Sequence, residues 1–334
     1  VKLDSIKAFL GDDFVKYRKI VETSLFTQNS LLNEIDNYLY GTSGKQIRPL
    51  LSLLSARLFG KACDECIYCA AISEMIHTAT LLHDDVADDG NIRRGKPTVK
   101  AKYNLASSIL AGDYWLAKAL KLLVGHCSHS IMDCFTNTVI GLAEGEFLQM
   151  LKSETLDTTE SDYYKVISHK TSALFVASMK SSAIAAGAGE KEIEAVSTYA
   201  YNYGLAFQIR DDIFDYSPSL DTGKKAGSDL EERKITLPLL CAFENCTEDE
   251  EKAVRKMISQ INENVSASGD VSGADRAIIN RVNEFIYENE GVESAQKKLD
   301  GIVRAATDAL FVLPAGKARD FLRDLADNVG KRNK

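Results

Sequence analysis

Two aspartate clusters carry most of the chemistry this chain could do. Asp84, Asp85 and Asp88 lie in LLHDDVADDGNIRRGKPT, and Asp211, Asp212 and Asp215 lie in FQIRDDIFDY. Each cluster sets carboxylates at i, i+1 and i+4 at the end of a long apolar stretch. On a helix, i and i+4 share a face, so Asp84 should project beside Asp88 and Asp211 beside Asp215. Like charges at that spacing repel by roughly a few tenths of a kcal/mol. Acids at a helix C-terminus also oppose the helix dipole. Two solvated helix ends gain nothing from this arrangement, whereas bound cations would explain it. Oxygen donors without His or Cys suit a hard ion, Mg2+ above all when a phosphate shares the coordination.

Basic residues accompany both clusters. Arg93, Arg94 and Lys96 follow the first; Lys224, Lys225, Arg233 and Lys234 follow the second; Lys45 and Arg48 stand in GTSGKQIRP. Acid clusters beside forked and point-charge cations suggest an anionic substrate held partly through metal and partly directly, and diphosphate fits. Taken singly, several of these residues are ordinary. Lys45, Arg48 and Asp89 alone read as loop charges, and His77 alone reads as a satisfied core histidine. His77, however, precedes Asp84 by seven residues, two helical turns, and so faces the same side. Lys170 and Thr171 lie in the mostly apolar SHKTSALFVASM, where a buried lysine is costly unless paired.

The elements that must position these groups read as helices throughout. Apolar periodicity predicts helices over 3–20, 22–40, about 49–59, 64–87, 105–124, 129–151, 160–187, 190–216, 236–246, 248–264, 272–289, 291–309 and 315–331. The first aspartate cluster closes the 64–87 helix and the second closes the 190–216 helix. Residues 90–98 read as a basic loop, and 221–234 as a charged, glycine-containing loop placed to fold over a ligand. NVSASGDVSG, 264–273, reads as a surface loop. No strand-like alternation, fixed-period repeat or domain boundary is visible.

Composition bounds the class. The 334 residues suffice for a large core, and five prolines leave long helices uninterrupted. A net charge of -8 argues against a nucleic-acid partner. No apolar run reaches the ~18 residues of a membrane span, and no charged n-region followed by an apolar h-region opens the sequence. Seven cysteines, an odd number, favour reduced cytosolic thiols over a disulfide framework. Cys63, Cys66 and Cys69 have a spacing like part of an iron–sulfur run, but no fourth cysteine follows nearby. Buried small thiols are the expected account. His126 and His129, around Cys127, read as a helix end or loop.

With these residues on the page, the chain resembles the trans-isoprenyl diphosphate synthases, or polyprenyl synthetases. DDVADDGNIRRGKPT is similar to the family's first aspartate-rich motif and FQIRDDIFD to its second. GKQIRP, EMIHTATLLHDD, HKTSALF and TGKKAGSDLEERKITLPLL match in order. The resemblance covers about residues 40–240 in motif detail. It implies an all-α, single-domain antiparallel helical bundle of isoprenoid synthase type over 1–334, around a central hydrophobic cavity. The implied reaction is Mg2+-dependent condensation of isopentenyl diphosphate with an allylic diphosphate.

The resemblance also implies roles. Asp84, Asp85 and Asp88, with Asp211, Asp212 and Asp215, are the metal ligands: Asp84 and Asp88 for two ions, Asp211 with Asp212 and Asp215 for a third. Those ions bridge the allylic diphosphate, which Arg93, Lys170 and Lys224 contact, with Lys234 near it. Thr171 and Gln208 stand by the ionising carbon, and these two with Lys170, Lys224 and Lys234 are the implied catalytic residues. Lys45, Arg48, His77 and Arg94 form the isopentenyl diphosphate site. Ile76, Ala79 and Thr80 should line the chain-length tunnel, with Phe135 as its floor. The small Ala79, and the absence of a two-residue insertion in the first cluster, resemble medium- or long-chain members. Their products would have about seven to ten isoprene units, set by the length of the apolar pocket. A homodimer, a cytoplasmic location and a peripheral membrane contact for product release are expected too. The alternatives are a short-chain synthase, a class I terpene cyclase and a regulatory subunit of a synthase heteromer. A cyclase usually lacks the second aspartate-rich motif, and a regulatory subunit often loses one cluster.

Overall fold

The computed structural model describes residues 3–42, 44–216, 227–261 and 273–331. Its helices are α1 (Leu3–Leu10), α2 (Asp12–Leu25), α3 (Ser30–Gly41), α4 (Ile47–Leu58), α5 (Asp64–Ala87), α6 (Val99–Lys102), α7 (Leu105–His126), α8 (His129–Thr155), α9 (Glu160–Ile167), α10 (Ala173–Ala185), α11 (Glu190–Asp215), α12 (Ser228–Glu231), α13 (Leu237–Phe243), α14 (Glu248–Ser259), α15 (Gly273–Glu288), α16 (Gly291–Ala309) and α17 (Lys317–Lys331). The all-α expectation holds. None of the described helices is long and apolar enough to cross a membrane. The chain forms two compact units. The first holds residues up to Val139, Leu174–Ala200 and Ala309–Leu325. The second holds Ile140–Ala173, Tyr201–Asp308 and residues from Ala326 on.

The first unit is built on α5. Cys66, Cys69, Ala70, Ile72, Met75, Ile76, Ala79 and Leu82 are all buried. They cover the helix all round, as a central helix requires, and α2, α4 and α7 pack on it. Polar pins set the register of α10 on α4: Ser52 meets Ser182 at 2.6 Å, and Ser55 donates to the Met179 carbonyl at 2.8 Å. Asn104 starts α7 by accepting from the Ser107 amide at 2.7 Å, satisfying an N-terminal donor that the helix cannot.

The second unit packs Tyr203, Ile209, Ile213, Leu237, Leu239, Ile279, Val282 and Leu299 into its core. Capping boxes open α9 (Thr159 with Asp162) and α14 (Thr247 with Glu250). The buried Arg210 donates to the Val329 carbonyl at 2.9 Å and to that of Gly330, tying α11 to the last turn of α17.

Three local departures from the expected elements matter. The helix expected over 3–20 breaks at Gly11, where φ is +53°, and α2 instead runs on to Leu25. The expected 160–187 helix is interrupted by a π-helical turn, Ser168–Ser172. Residues 90–98 carry a two-stranded hairpin, β1 (Ile92–Arg93) with β2 (Lys96–Pro97). Strands of two residues are too short to show a period. The expected loop over 264–273 lies, up to Val271 and Ser272, outside the described residues.

Candidate active site

In the first unit a cavity of about 80 Å3 opens beside α5, lined among others by Gln46, Glu74, His77, Arg93 and Arg94. Arg94 donates to the Thr42 carbonyl at 3.3 Å. Its guanidinium lies so close over Gly44 that a Cβ there would overlap it, so the glycine of TSGKQIRP is needed for the approach. Arg48 spreads over the Phe175 ring at 4.4 Å, and its carbonyl accepts from Ser178 at 3.0 Å. Arg93 donates to Asp85 at 2.7 Å. Lys45 is exposed, and Lys96 reaches the Gly41 carbonyl at 3.2 Å.

The charges explain the state of His77. Burial, reinforced by Arg48, Arg94 and Arg93, holds its pKa well below the usual value. The imidazole is therefore neutral at pH 7 and can donate one N–H. Burial pushes Glu74 up, against the pull of Arg48 and Arg94. Burial likewise lowers Arg94. Such cations, partly stripped of water, are disposed to take an anion with several oxygens.

The same helix ends in the first aspartate cluster. The Asp88 amide closes the last turn onto the Asp84 carbonyl at 2.8 Å. His77 and Asp84 stand two turns apart, about 10 Å along the axis. Burial raises the pKa of Asp85, opposed by Arg93. Ile76, Ala79 and Phe135 are buried, and Thr80, half-buried, donates to the His77 carbonyl at 2.9 Å.

In the second unit, Lys170 lies in the π-helical turn and pairs with Glu146 at 2.7 Å, with Gln149 3.4 Å away. Gly145 of α8 permits this: a Cβ there would press on His169 and the Lys170 amide. Thr171 donates to Gln208 Oε1 at 2.8 Å, and Gln208 donates to Asp212 Oδ1 at 2.8 Å. Tyr163 donates to Asp212 Oδ2 at 2.6 Å. Burial still raises the Asp212 pKa, against those two hydrogen bonds. Asp215 accepts from the amides of Ser228 and Asp229 at 3.1 and 2.9 Å and from the Ser228 hydroxyl at 2.6 Å, fixing the start of α12. Lys234 pairs with Glu232.

The structure thus gathers Arg48, His77, Arg93 and Arg94 in the first unit, and Lys170, Thr171, Gln208 and Asp212 in the second. Lys224 and Lys225 lie outside the described residues. Sequence reasoning missed Glu74, Glu146, Gln149, Tyr163 and Asp229. Glu74 sits one turn before His77, and GEFLQ spaces Glu146 and Gln149 at i, i+3, so both were open to a same-face argument. Asp229 is half-buried, and desolvation, then Asp212 and Asp215, drive its pKa well up. Only the bare string SDLEERK could have pointed to it.

Among the described residues, no three His, Cys, Asp or Glu side chains form a preformed metal cage. The donors nevertheless fit Mg2+, which takes one or two carboxylates and leaves its other positions to water and substrate phosphate.

A family model described as Polyprenyl synthetase matches residues 29–271. The chain is 33% identical over 327 residues to an octaprenyl diphosphate synthase of Haemophilus influenzae, covering 98% of this chain and 96% of that protein. It is 40% identical over 280 residues to a geranylgeranyl diphosphate synthase of Sulfolobus acidocaldarius, covering 81% of this chain and 80% of that one. The crystal structure of a decaprenyl diphosphate synthase from Rhodobacter capsulatus superposes with a TM-score of 0.89 at 34% identity, over 99% of each chain.

Proposed function

The chain belongs to the polyprenyl synthetase family, and on that premise we propose that it condenses isopentenyl diphosphate with an allylic diphosphate, farnesyl or geranylgeranyl, in a Mg2+-dependent reaction. As a family member it is a transferase, a polyprenyl diphosphate synthase. The observation that carries the substrate reading is a cationic cavity at His77, with Asp85 in its lining, on the helix that ends at Asp84 and the C-cap Asp88.

Each unit supports part of the mechanism. In the first, Arg48, Arg94 and Lys45 take the isopentenyl diphosphate, and neutral His77 adds a donor without adding charge. In the first unit Asp84 and Asp88 would hold Mg2+, and in the second Asp211 would hold a further ion, while Asp85, Asp212 and Asp215 are engaged by Arg93, by Tyr163 and Gln208, and by the α12 amides. When bound, Mg2+ supplies Lewis-acid assistance to the leaving diphosphate. Lys170 and Arg93 meet that charge as it grows, a stabilisation specific to the transition state. Thr171 donates its hydroxyl hydrogen bond to Gln208, so its lone pairs remain available to stabilise an electron-poor allylic carbon. No side chain stands out as the base; the departing diphosphate takes the proton.

We further read the chain as one domain over 1–334, making a product of about C35–C50 in a large apolar pocket. Small Ala79 and buried Phe135 support that length. Exposed Leu105, Ile109, Leu110, Leu120 and Val124 on α7 support a homodimer. Free cysteines throughout support a cytoplasmic location, with peripheral membrane contact for product release. The likeness to the Sulfolobus geranylgeranyl synthase favours, as a second reading, a shorter product. The test is chromatography of products from isopentenyl diphosphate and radiolabelled farnesyl diphosphate, with and without Mg2+. Chains beyond C30 that vanish with chelator are expected; turnover unaffected by chelation would overturn the metal reading, and products no longer than C20 the long-chain one.

A further inference from the structure

The cysteine run of α5 has no part in the reaction above, yet the fold builds it into a pair. Cys63 is the N-cap residue of α5 and is exposed; Cys66, in the first turn, is buried. Their sulfurs lie 3.3 Å apart. The two thiols also reach neighbouring carbonyls on α10, Cys63 to Ala185 at 3.4 Å and Cys66 to Ser182 at 3.6 Å. Cys66 packs against Ala56 and Ala62. One sulfur thus faces solvent at a helix N-terminus, and the second waits behind it within reach. That is the division of labour a thiol–disulfide exchange site needs: an accessible attacking thiol and a sheltered resolving thiol.

We infer that Cys63 and Cys66 form a thiol–disulfide exchange site for small-molecule disulfides. The Cys63 thiolate attacks one sulfur of the small disulfide, and the other sulfur leaves as a thiolate, which takes up the proton that Cys63 gave. Cys66 then attacks Cys63 Sγ, its proton passing to the second thiolate as that group is expelled. Two protein thiols are oxidised to one disulfide and one small disulfide is reduced to two thiols, so electrons and protons balance. Burial pushes the Cys66 thiol up to about 12, which leaves the first attack to Cys63. Cys63, at the extended N-cap position, already brings its sulfur to 3.3 Å from that of Cys66, leaving about 1 Å to close to the ~2.05 Å of a disulfide. Closure withdraws both S–H groups from the Ala185 and Ser182 carbonyls, loosening α10 from the start of α5.

The test is incubation of the reduced full chain with oxidised glutathione, alkylation of remaining thiols and mass mapping of the tryptic peptide Ala62–Arg93. The expected result is loss of two hydrogens, with Cys63 and Cys66 protected, Cys69 still alkylated, and full reversal by dithiothreitol. Cys66→Ala should stop at one stable glutathione adduct on Cys63, and Cys63→Ser should give neither adduct nor bridge. A wild-type chain that keeps a persistent glutathione adduct, or whose Cys63 remains alkylatable, would overturn the proposal. So would a bridge that joins Cys69 and Cys127 and leaves Cys63 free. If Cys66→Ala loses its helical circular dichroism, brief iodoacetamide treatment of the wild type decides: Cys63 must react before Cys66, and equal rates refute the site.

Discussion

Lys170 Nζ stands 2.7 Å from Glu146 Oε2, so the lysine expected to meet the allylic diphosphate already has an anionic partner. Removing that carboxylate leaves the lysine with more charge to offer substrate. Glu146→Gln should lower the KM for the allylic diphosphate, by less than about tenfold because the pair is still partly open to solvent. Lys170→Ala should cut kcat/KM by about tenfold or more, the loss of a charge-assisted bond. Steady-state kinetics with the allylic substrate varied provide the check. A rise in KM for both variants would mean that Glu146 serves to position the lysine.

Asp84→Ala and Asp211→Ala should each lower kcat by roughly 10³ or more, about 4 kcal/mol of transition-state stabilisation. Circular dichroism should change little, since removing one of several clustered like charges relieves repulsion. Near-normal turnover at saturating Mg2+ would sink the metal assignment.

Lys45→Ala and Arg48→Ala should raise the KM for isopentenyl diphosphate tenfold or more, about 1.5–3 kcal/mol per charged bond, and that for the allylic substrate much less. Gly44→Ala should mimic them through displacement of Arg94. Equal effects on the two substrates would show the site is assigned wrongly.

Ala79 is buried in α5, one turn before the aspartates. Ala79→Tyr should truncate products to about fifteen to twenty carbons while chemistry continues, because overpacking costs only ~1–3 kcal/mol. An unchanged product ladder from a folded, active variant would refute the tunnel.

A pH effect on stability should come from Asp36 on α3. Trp115 donates to its Oδ1 at 2.7 Å, and burial pushes the carboxyl up to about 6 despite that bond and Lys118. The folded-state pKa is raised, so this stabilisation is complete below about pH 4 and is lost as pH rises through about 6, at most on the order of 3 kcal/mol. Urea denaturation at pH 5 and pH 8 should show that slope, and Asp36→Asn should flatten it. Identical slopes would mean another group is responsible.

What could be read in the chain depended on range. The α5 helix follows from periodicity within one element, and the structure reproduces it over Asp64–Ala87; the shared face of His77 and Asp84 is what that period implies. The π-helical turn at Lys170 was hidden, because it depends on how closely α8 approaches at Gly145. The Lys170–Glu146 pair and the Tyr163–Asp212 bond join residues far apart in sequence, where no period operates. Gly11 was visible as a glycine, but its positive φ was not.

His77 and Asp84 ride on one continuous helix, and this constrains how the sequence can change. A single residue inserted between them would turn everything beyond it by about 100° and shift it about 1.5 Å, pointing the carboxylates away from the face His77 occupies. Substitution at Ile76, Ala79 or Thr80 disturbs neither phase nor distance. Side-chain size in α5 can therefore vary at a packing cost, whereas its length cannot. Insertions and deletions can accumulate in turns that lie outside α5 and outside the hairpin carrying Arg93 and Arg94.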